Sequence, residues 1–191
     1  MSEKILNPNK VRAKKMMLLF SLLSITMTFA GLTSAYIVSK GRPDWLVDFE
    51  LPELFFYSTI VIVLSSITIQ IAKYKLNKNK SKTNVLIWLF ITLLLGVLFC
   101  IFQFYAFKTL IDEGYYFAGA QSTITTSFIY VLTLLHAVHL IAGIIVLLVL
   151  LFNTINNKYQ LNKLGFHLGV TFWHFLDILW IYLFLFFYFF G

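Results

Sequence analysis

Five long apolar segments follow one another along the chain, and short stretches that hold nearly all the charged residues separate them. Each segment is long enough to cross about 30 Å of hydrocarbon as a helix that rises 1.5 Å per residue. The segments lack the regular alternation of apolar and polar positions that is typical of soluble proteins. The pattern predicts an all-α membrane bundle, a single transmembrane domain over residues 1–191 with spans at about 16–38, 54–72, 85–107, 124–152 and 166–190.

Basic residues collect in the tail and in every second connection. Placing the N-terminus inside puts 12 of the 15 Lys and Arg residues on the inner side: Lys4, Lys10, Arg12, Lys14, Lys15, Lys73, Lys75, Lys78, Lys80, Lys82, Lys158 and Lys163. This bias predicts an inside N-terminus and an outside C-terminus. It also explains the net charge of +7 without a nucleic-acid partner.

The overall composition excludes a soluble globular protein, because 60% of the residues are hydrophobic and only 12% are charged. The single Cys100 excludes an intrachain disulfide framework and a thiolate metal site. The first span could be a signal peptide, since basic residues precede it, but its apolar part exceeds the ~7–15 residues of such signals. No transit peptide is apparent, so we expect a multi-pass protein of the bacterial cytoplasmic membrane.

Small residues recur at spacings of three and four along span 1, namely Ser21, Ser24, Thr28 and Gly31. They form one stripe on a helix, and such a stripe lets another helix approach closely. We favour helix packing over a polar substrate path. Gly143 on span 4 is a further candidate packing position.

Two pairs of ionisable residues lie at membrane depth, His136 with His139 on span 4 and His174 with Asp177 on span 5. The members of each pair are three residues apart and share a helical face. Asp177 is the only acidic residue within a span, and a buried carboxyl in lipid needs a partner or a proton. Trp173 and Trp180 flank it.

Adjacent antiparallel spans could bring these four residues together, and we expect a histidine to pair with Asp177. Three interpretations compete: a structural polar cluster, which we favour, a proton or interface network, and a metal site. The metal site is the weakest, because histidines three residues apart are common by chance and no Cys or Glu lies near. We predict no catalytic, cofactor-binding or metal-ligating residue in this chain.

The sequence around these residues resembles subunit III of the haem-copper cytochrome c and quinol oxidases. The segment FWHFLDILW at residues 172–180 is similar to Tyr-Trp-His-Phe-Val-Asp-Val-Val-Trp in the last helix of that family. The segment HAVHLIAG at residues 136–143 resembles the family's His-x-x-His-Val-x-x-Gly. Thr92, Gly96 and Gln103 add a looser match in span 3. Five spans resemble the short bacterial form of the family.

The resemblance implies an accessory subunit of a proton-pumping terminal oxidase. Such a chain binds the catalytic subunit I and belongs to a complex that also contains subunit II. These partner subunits would carry the haems and copper. It implies bound phospholipid, no redox metal in this chain, and a role in stabilising the catalytic subunit. A larger respiratory supercomplex is left open.

The chain departs from the family in one position that matters. Family members commonly have a Ser-Glu pair in the helix corresponding to span 1, where this chain has Ser24 and Ile25. Any role of that carboxylate in lipid contact or proton handling therefore does not carry over. His167 stands where some members have an acidic residue.

Other functions stay open at this point. The family includes subunits of quinol oxidases and relatives that accompany nitric oxide reductases. A stand-alone proton-coupled transporter is disfavoured, because we find no internal repeat and no intramembrane Lys, Arg or Glu. A membrane metalloenzyme would contain stoichiometric metal.

Overall fold

The computed structural model describes residues 8–42, 45–46, 51–78, 81–119, 122–160 and 163–190. All regular structure in these ranges is helical, and all five long helices are long and apolar enough to cross a membrane. The elements are α1 (Pro8–Ser39), α2 (Glu53–Asn77), α3 (Lys82–Asp112), α4 (Ile124–Ile155), a 3-10 turn (Lys158–Gln160) and α5 (Leu164–Phe190). The predicted all-α bundle of five spans is confirmed. That it forms a single domain stays a prediction.

Each helix is longer than the predicted span, because polar turns continue it beyond its apolar part. α1 begins at Pro8, and proline fits the first helical position because its missing N–H has no intrahelical partner there. At the start of α4, the Thr123 hydroxyl accepts a bond from the Thr126 N–H, and the Thr126 hydroxyl accepts one from the Thr123 N–H. This reciprocal cap fixes where α4 begins.

α5 lies at the centre of the bundle. It packs against α1, α2 and α4, while α3 packs against α2 and α4. Half of the residues in the most apolar stretch of α5 are buried, against 11% in α1. Within the described residues no Cα of α1 lies within 8 Å of a Cα of α2, although the two helices are neighbours in sequence. A groove floored by α5 therefore separates α1 from α2.

Contacts between helix ends show that the helices alternate in direction. At one end, the Tyr36 hydroxyl of α1 donates to the carbonyl of Phe190 at 3.2 Å. At the other end, Lys82 Nζ at the start of α3 donates to the carbonyl of Ile155 in α4 at 2.5 Å. We call the second end the basic end, because it holds Lys10, Arg12, Lys14, Lys15, Lys73, Lys75, Lys78, Lys82, Lys158 and Lys163. Lys4 and Lys80 lie outside the described residues.

The connection from α4 to α5 packs onto the basic end. Asn157 adopts a φ of 56°, a left-handed conformation that asparagine tolerates better than most residues. The Tyr159 ring packs edge-to-face against the Phe166 ring, with 5.5 Å between the ring centroids, and its hydroxyl accepts a hydrogen bond from Asn153 Nδ2. Burial raises the pKa of the Tyr159 phenol, so this side chain stays neutral at physiological pH.

Candidate functional site: the polar seam between α2 and α5

His174 joins α5 to α2 through two hydrogen bonds. Its Nδ1 lies 2.7 Å from Ser66 Oγ, and its Nε2 lies 3.2 Å from Gln70 Oε1. An amide oxygen only accepts, so Nε2 carries the proton; in a neutral ring Nδ1 then accepts the proton of the Ser66 hydroxyl. The His174 side chain stays 28% exposed.

Asp177 is buried one turn further along α5, with 1% of its surface exposed. Its Oδ2 lies 3.9 Å from His174 Nδ1, beyond hydrogen-bond distance. The Ser66 hydroxyl also faces this carboxyl, but within the described residues neither oxygen meets hydrogen-bond geometry with any group. Asp177 and His174 of the same helix therefore lie close together, but without the hydrogen bond that was expected between Asp177 and a histidine.

Trp173 is held in a slot between three helices. Its Nε1 donates to Ser65 Oγ of α2 at 3.0 Å. A Cβ added at Gly96 of α3 would stand 2.8 Å from the Trp173 ring, and one added at Gly143 of α4 would stand 2.6 Å from a methyl group of Leu176 and 3.2 Å from the ring. These two glycines are needed because the indole fills the space of their missing side chains.

Trp180 repeats this arrangement two turns further along α5. Its Nε1 donates to Thr59 Oγ1 of α2 at 3.0 Å. Its ring stacks on Phe55 and meets Phe99 edge-on, at centroid distances of 5.8 and 5.0 Å. Two tryptophan N–H groups and one histidine thus bind hydroxyl or amide groups of α2. We call this set of contacts the polar seam.

His136 and His139 of α4 form no hydrogen bond with the polar seam in the part of the chain that the structure describes. His136 is buried, its ring centroid lies 5.2 Å from that of Trp180, and neither ring nitrogen has a hydrogen-bond partner among the described residues. His139 donates from Nδ1 to the carbonyl of Leu135 at 2.7 Å and packs against Phe29 of α1. Of the six residues predicted as a polar cluster, the structure brings together Trp173, His174, Asp177 and Trp180, and only the ring of His136 reaches them.

Sequence analysis missed the α2 side of the seam. Thr59, Ser65, Ser66 and Gln70 supply the partners of the α5 side chains. The sequence does contain a signal for it. Two adjacent hydroxyl residues occur at positions 58–59, and a second such pair occurs seven residues later, at 65–66. A spacing of seven returns to the same helical face, so a hydroxyl-bearing face of α2 was readable from the sequence.

Polar contacts also join α2 to α3. Thr68 Oγ1 lies 2.8 Å from Thr92 Oγ1, and Gln103 Nε2 donates to Ser58 Oγ at 2.9 Å. Thr92, Gly96 and Gln103, the three residues that the looser span 3 match singled out, therefore all lie at interfaces of α3 with other helices.

The small-residue stripe of α1 faces away from the bundle. Ser21, Ser24, Thr28 and Gly31 are all exposed, and a Cβ added at Gly31 would meet nothing within 4 Å. The hydroxyls of Ser21 and Thr28 donate to carbonyls one turn earlier in α1, so they are satisfied without a partner helix. The stripe does not pack against another helix in the described part of this chain.

No group of three or more His, Cys, Asp or Glu residues that could hold a metal ion occurs in the part of the chain that the structure describes. The seam offers one imidazole, one carboxyl, hydroxyls and an amide, and its hydrogen bonds join α5 to α2.

Comparison with known proteins extends these observations. Residues 10–191 match the model of the family described as Cytochrome c oxidase subunit III. The cytochrome bo(3) ubiquinol oxidase subunit 3 of Buchnera aphidicola subsp. Baizongia pistaciae is 36% identical over 143 residues, which cover 72% of this chain and 70% of that protein. The cytochrome c oxidase subunit 3 of Bacillus sp. (strain PS3) is 30% identical over 164 residues, 83% of this chain and 77% of that one.

A longer relative is the probable cytochrome c oxidase subunit 3 of Rickettsia conorii, which is 32% identical over 167 residues. These residues cover 84% of this chain but only 56% of the relative, so this chain spans little more than half of that protein's length.

Proposed function

Because the chain belongs to the cytochrome c oxidase subunit III family and is a multi-pass bacterial membrane protein, we propose that it is the accessory third subunit of a proton-pumping haem-copper terminal oxidase. The family match over residues 10–191 carries this proposal, because it includes every helix of the bundle. In this proposal the chain lies in the cytoplasmic membrane, with the basic end inside. Subunits I and II carry the haems and copper.

The outward stripe of α1 supplies the docking surface in this proposal. Ser21, Ser24, Thr28 and Gly31 are exposed, and they leave room for a second helix to approach the α1 backbone. Association in lipid depends on such close packing, since lipid chains are as apolar as the side chains they surround. A transmembrane helix of subunit I is the expected partner.

The polar seam fixes the shape of the chain for docking. The expected clasp joined spans 4 and 5, whereas the hydrogen bonds of His174, Trp173 and Trp180 join α5 to α2. Asp177 takes part as a neutral acid that faces the Ser66 hydroxyl, because no cation among the described residues lies within hydrogen-bond distance and a buried carboxylate in lipid is unfavourable by at least ~2.5–3.5 kcal/mol.

A quinol oxidase is the second candidate, because the Buchnera aphidicola relative at 36% identity bears the name of a ubiquinol oxidase subunit. The two candidates share the accessory role and differ in the electron donor, which the partner subunits would bind.

Affinity purification of the tagged chain in mild detergent tests the proposal. Mass spectrometry should find a large polytopic partner and a copper-binding partner, and the visible absorption spectrum should show haem bands. A colourless preparation without partners would contradict the oxidase assignment. Stoichiometric metal in the isolated chain would instead support a membrane metalloenzyme.

A further inference from the structure

A row of polar side chains leads from the buried carboxyl of Asp177 to the surface of the bundle. Asp177 is 1% exposed, and the Ser66 hydroxyl of α2 faces it. Ser66 Oγ lies 2.7 Å from Nδ1 of His174, whose Nε2 lies 3.2 Å from Oε1 of Gln70. The His174 side chain is 28% exposed, and Gln70 is exposed. The row therefore connects a carboxyl in the core to groups at the protein surface.

The hydrogen bonds of this row run in one direction. The Nε2 proton of His174 goes to the amide oxygen of Gln70, so Nδ1 of the neutral ring accepts the Ser66 proton. The Ser66 oxygen keeps lone pairs that can accept the proton of a neutral carboxyl. Each group is thus placed to donate toward the surface and to accept from the core side, and hydrogen bonds aligned in this way polarise one another.

The row also leads toward the basic end of the bundle. On α5, His174 lies nearer than Asp177 to the start of the helix, and on α2, Gln70 lies nearer than Ser66 to its end; both of these helix ends are at the basic end. Gln70 is about 10 Å from the last residue of α2, at 1.5 Å per residue. Lys73 lies between them, and its charge acts on the His174 ring. Because a lysine near a helix end keeps its ammonium group in water, His174 lies within reach of the hydrated interface.

We propose that Asp177 is a proton-exchange site, which gives its proton to the water at the basic end, and takes it back, through Ser66 and His174. On release, the carboxyl O–H bond breaks as its proton passes to Ser66 Oγ, while the Ser66 proton passes to His174 Nδ1. The imidazolium then loses its Nε2 proton to water, which leaves a carboxylate and a hydronium ion. Uptake reverses these steps, and it follows quickly because a buried carboxylate is unfavourable. A rotation of the carboxyl completes its contact with Ser66, since that hydroxyl already faces it.

The inference rests on the neutral Asp177 of the proposed function, but not on the oxidase assignment. Helix association alone requires no route from the carboxyl to water, so proton exchange is a separate property of the polar seam. His136 provides the contrast. It is equally buried, but among the described residues its ring nitrogens have no partner that would lead to the surface.

Infrared spectroscopy of the purified full chain during transfer from H2O to D2O tests the route. The carbonyl stretch of the protonated Asp177, assigned by its loss in Asp177→Asn, moves to lower frequency when deuterium replaces the proton. The amide II band reports the exchange of backbone N–H groups in the same sample. We expect the Asp177 band to shift while the buried amides remain protonated. A shift only together with those amides would overturn the proposal, since exchange would then require opening of the bundle.

Substitutions within the row should slow this shift. His174→Ala should slow it about a hundredfold, because a positioned acid–base group accelerates proton transfer by ~10²–10⁴. Added imidazole should restore the rate. His139→Ala is the matched control and should leave the rate unchanged, because that half-buried histidine bonds a carbonyl of its own helix. Ser66→Ala should also slow the shift, whereas Ser65→Ala, which removes the adjacent hydroxyl, should not.

Loss of structure cannot imitate this result, because a loosened bundle exchanges its protons faster. Unchanged rates in both His174→Ala and Ser66→Ala would overturn the route. If a variant fails to fold, the order in which the carboxyl and the amides of the unaltered chain exchange still decides the question.

The proposed function is tested separately. Absence of a protonated-carboxyl band from the unaltered chain would overturn this inference together with the neutral Asp177, but it would leave the co-purification of haem subunits unaffected. Absence of haem subunits with rapid carboxyl exchange would overturn the oxidase assignment and support the exchange site.

Discussion

α5 and α1 have similar lengths and both are long and apolar enough to span a membrane, but α5 lies at the centre of the bundle and α1 at its edge. α5 packs against three helices, and its tryptophans fill slots that glycines of α3 and α4 leave open. Among the described helices, α1 packs only against α4 and α5, and its small residues point outward. The indole N–H of Trp173 in α5 bonds across to Ser65 of α2, whereas exposed hydroxyls of α1, such as that of Ser21, bond back to their own helix.

The comparison separates two uses of small and polar residues in a membrane. Within the bundle, Gly143 allows close packing of helices of the same chain, and removing that fit should destabilise the chain itself. On α1, Gly31 has nothing near it, so its use depends on something outside the chain. Stability and association should therefore respond to different substitutions.

The largest effect should come from Trp173→Ala. This change empties the slot between Gly96 and Gly143 and removes the hydrogen bond to Ser65, so we expect the free energy of unfolding to fall by about 3–5 kcal/mol. Thermal unfolding in detergent measures it. Trp88→Ala, at a half-buried tryptophan near the basic end, should lower the midpoint less. Equal losses would contradict the central role of α5.

A matched pair of glycine substitutions should give opposite results in two assays. Gly143→Val forces a side chain against Leu176 and Trp173 and should lower the free energy of unfolding by about 1–3 kcal/mol. Gly31→Val meets no neighbour and should change it by less than about 0.5 kcal/mol. Gly31→Val should instead reduce the amount of subunit I retained during purification. Full retention would show that partners dock elsewhere.

A small effect should also come from Asp177→Asn. A neutral acid and an amide both donate and accept hydrogen bonds, so we expect a change of less than about 1 kcal/mol in the free energy of unfolding. A charged Asp177 in an ion pair would predict a loss of about 3–5 kcal/mol.

Infrared spectroscopy at neutral pH gives an independent measure. The carbonyl stretch of a protonated carboxyl should be present in the unaltered chain and in Glu53→Gln, whose side chain is exposed, and absent in Asp177→Asn. Its presence in Asp177→Asn would rule out Asp177 as its source.

The sequence was sufficient to predict the five spans, because hydropathy and length depend only on the local composition of each segment. It also marked Asp177 as a residue that needs a partner or a proton. It could not identify α2 as the neighbour of this face of α5, because hydropathy says nothing about which helices lie side by side. The structure identifies this neighbour through the hydrogen bond from Trp173 Nε1 to Ser65 Oγ of α2.

The same limitation applies to the small residues. A stripe such as that of Ser21 and Thr28 looks identical whether it faces a helix of the same chain or of another one. Gly143 and Gly31 were both predicted as packing positions, and only the structure distinguishes the buried glycine with a ring against it from the exposed one.

The packing of α1 has a consequence for biosynthesis. α1 leaves the ribosome before the other four helices, but the only helices that it touches, among the described elements, are α4 and α5. At about 5–20 residues per second, the roughly 150 residues from the end of α1 to the end of α5 take about 8–30 s to synthesise. The α2–α3 hairpin can form during this time, while α1 waits in the lipid. The earliest of the five helices thus waits until the end of synthesis for its full packing, and a ribosome that stops before α5 would leave it with α4 as its one packing partner among the described helices.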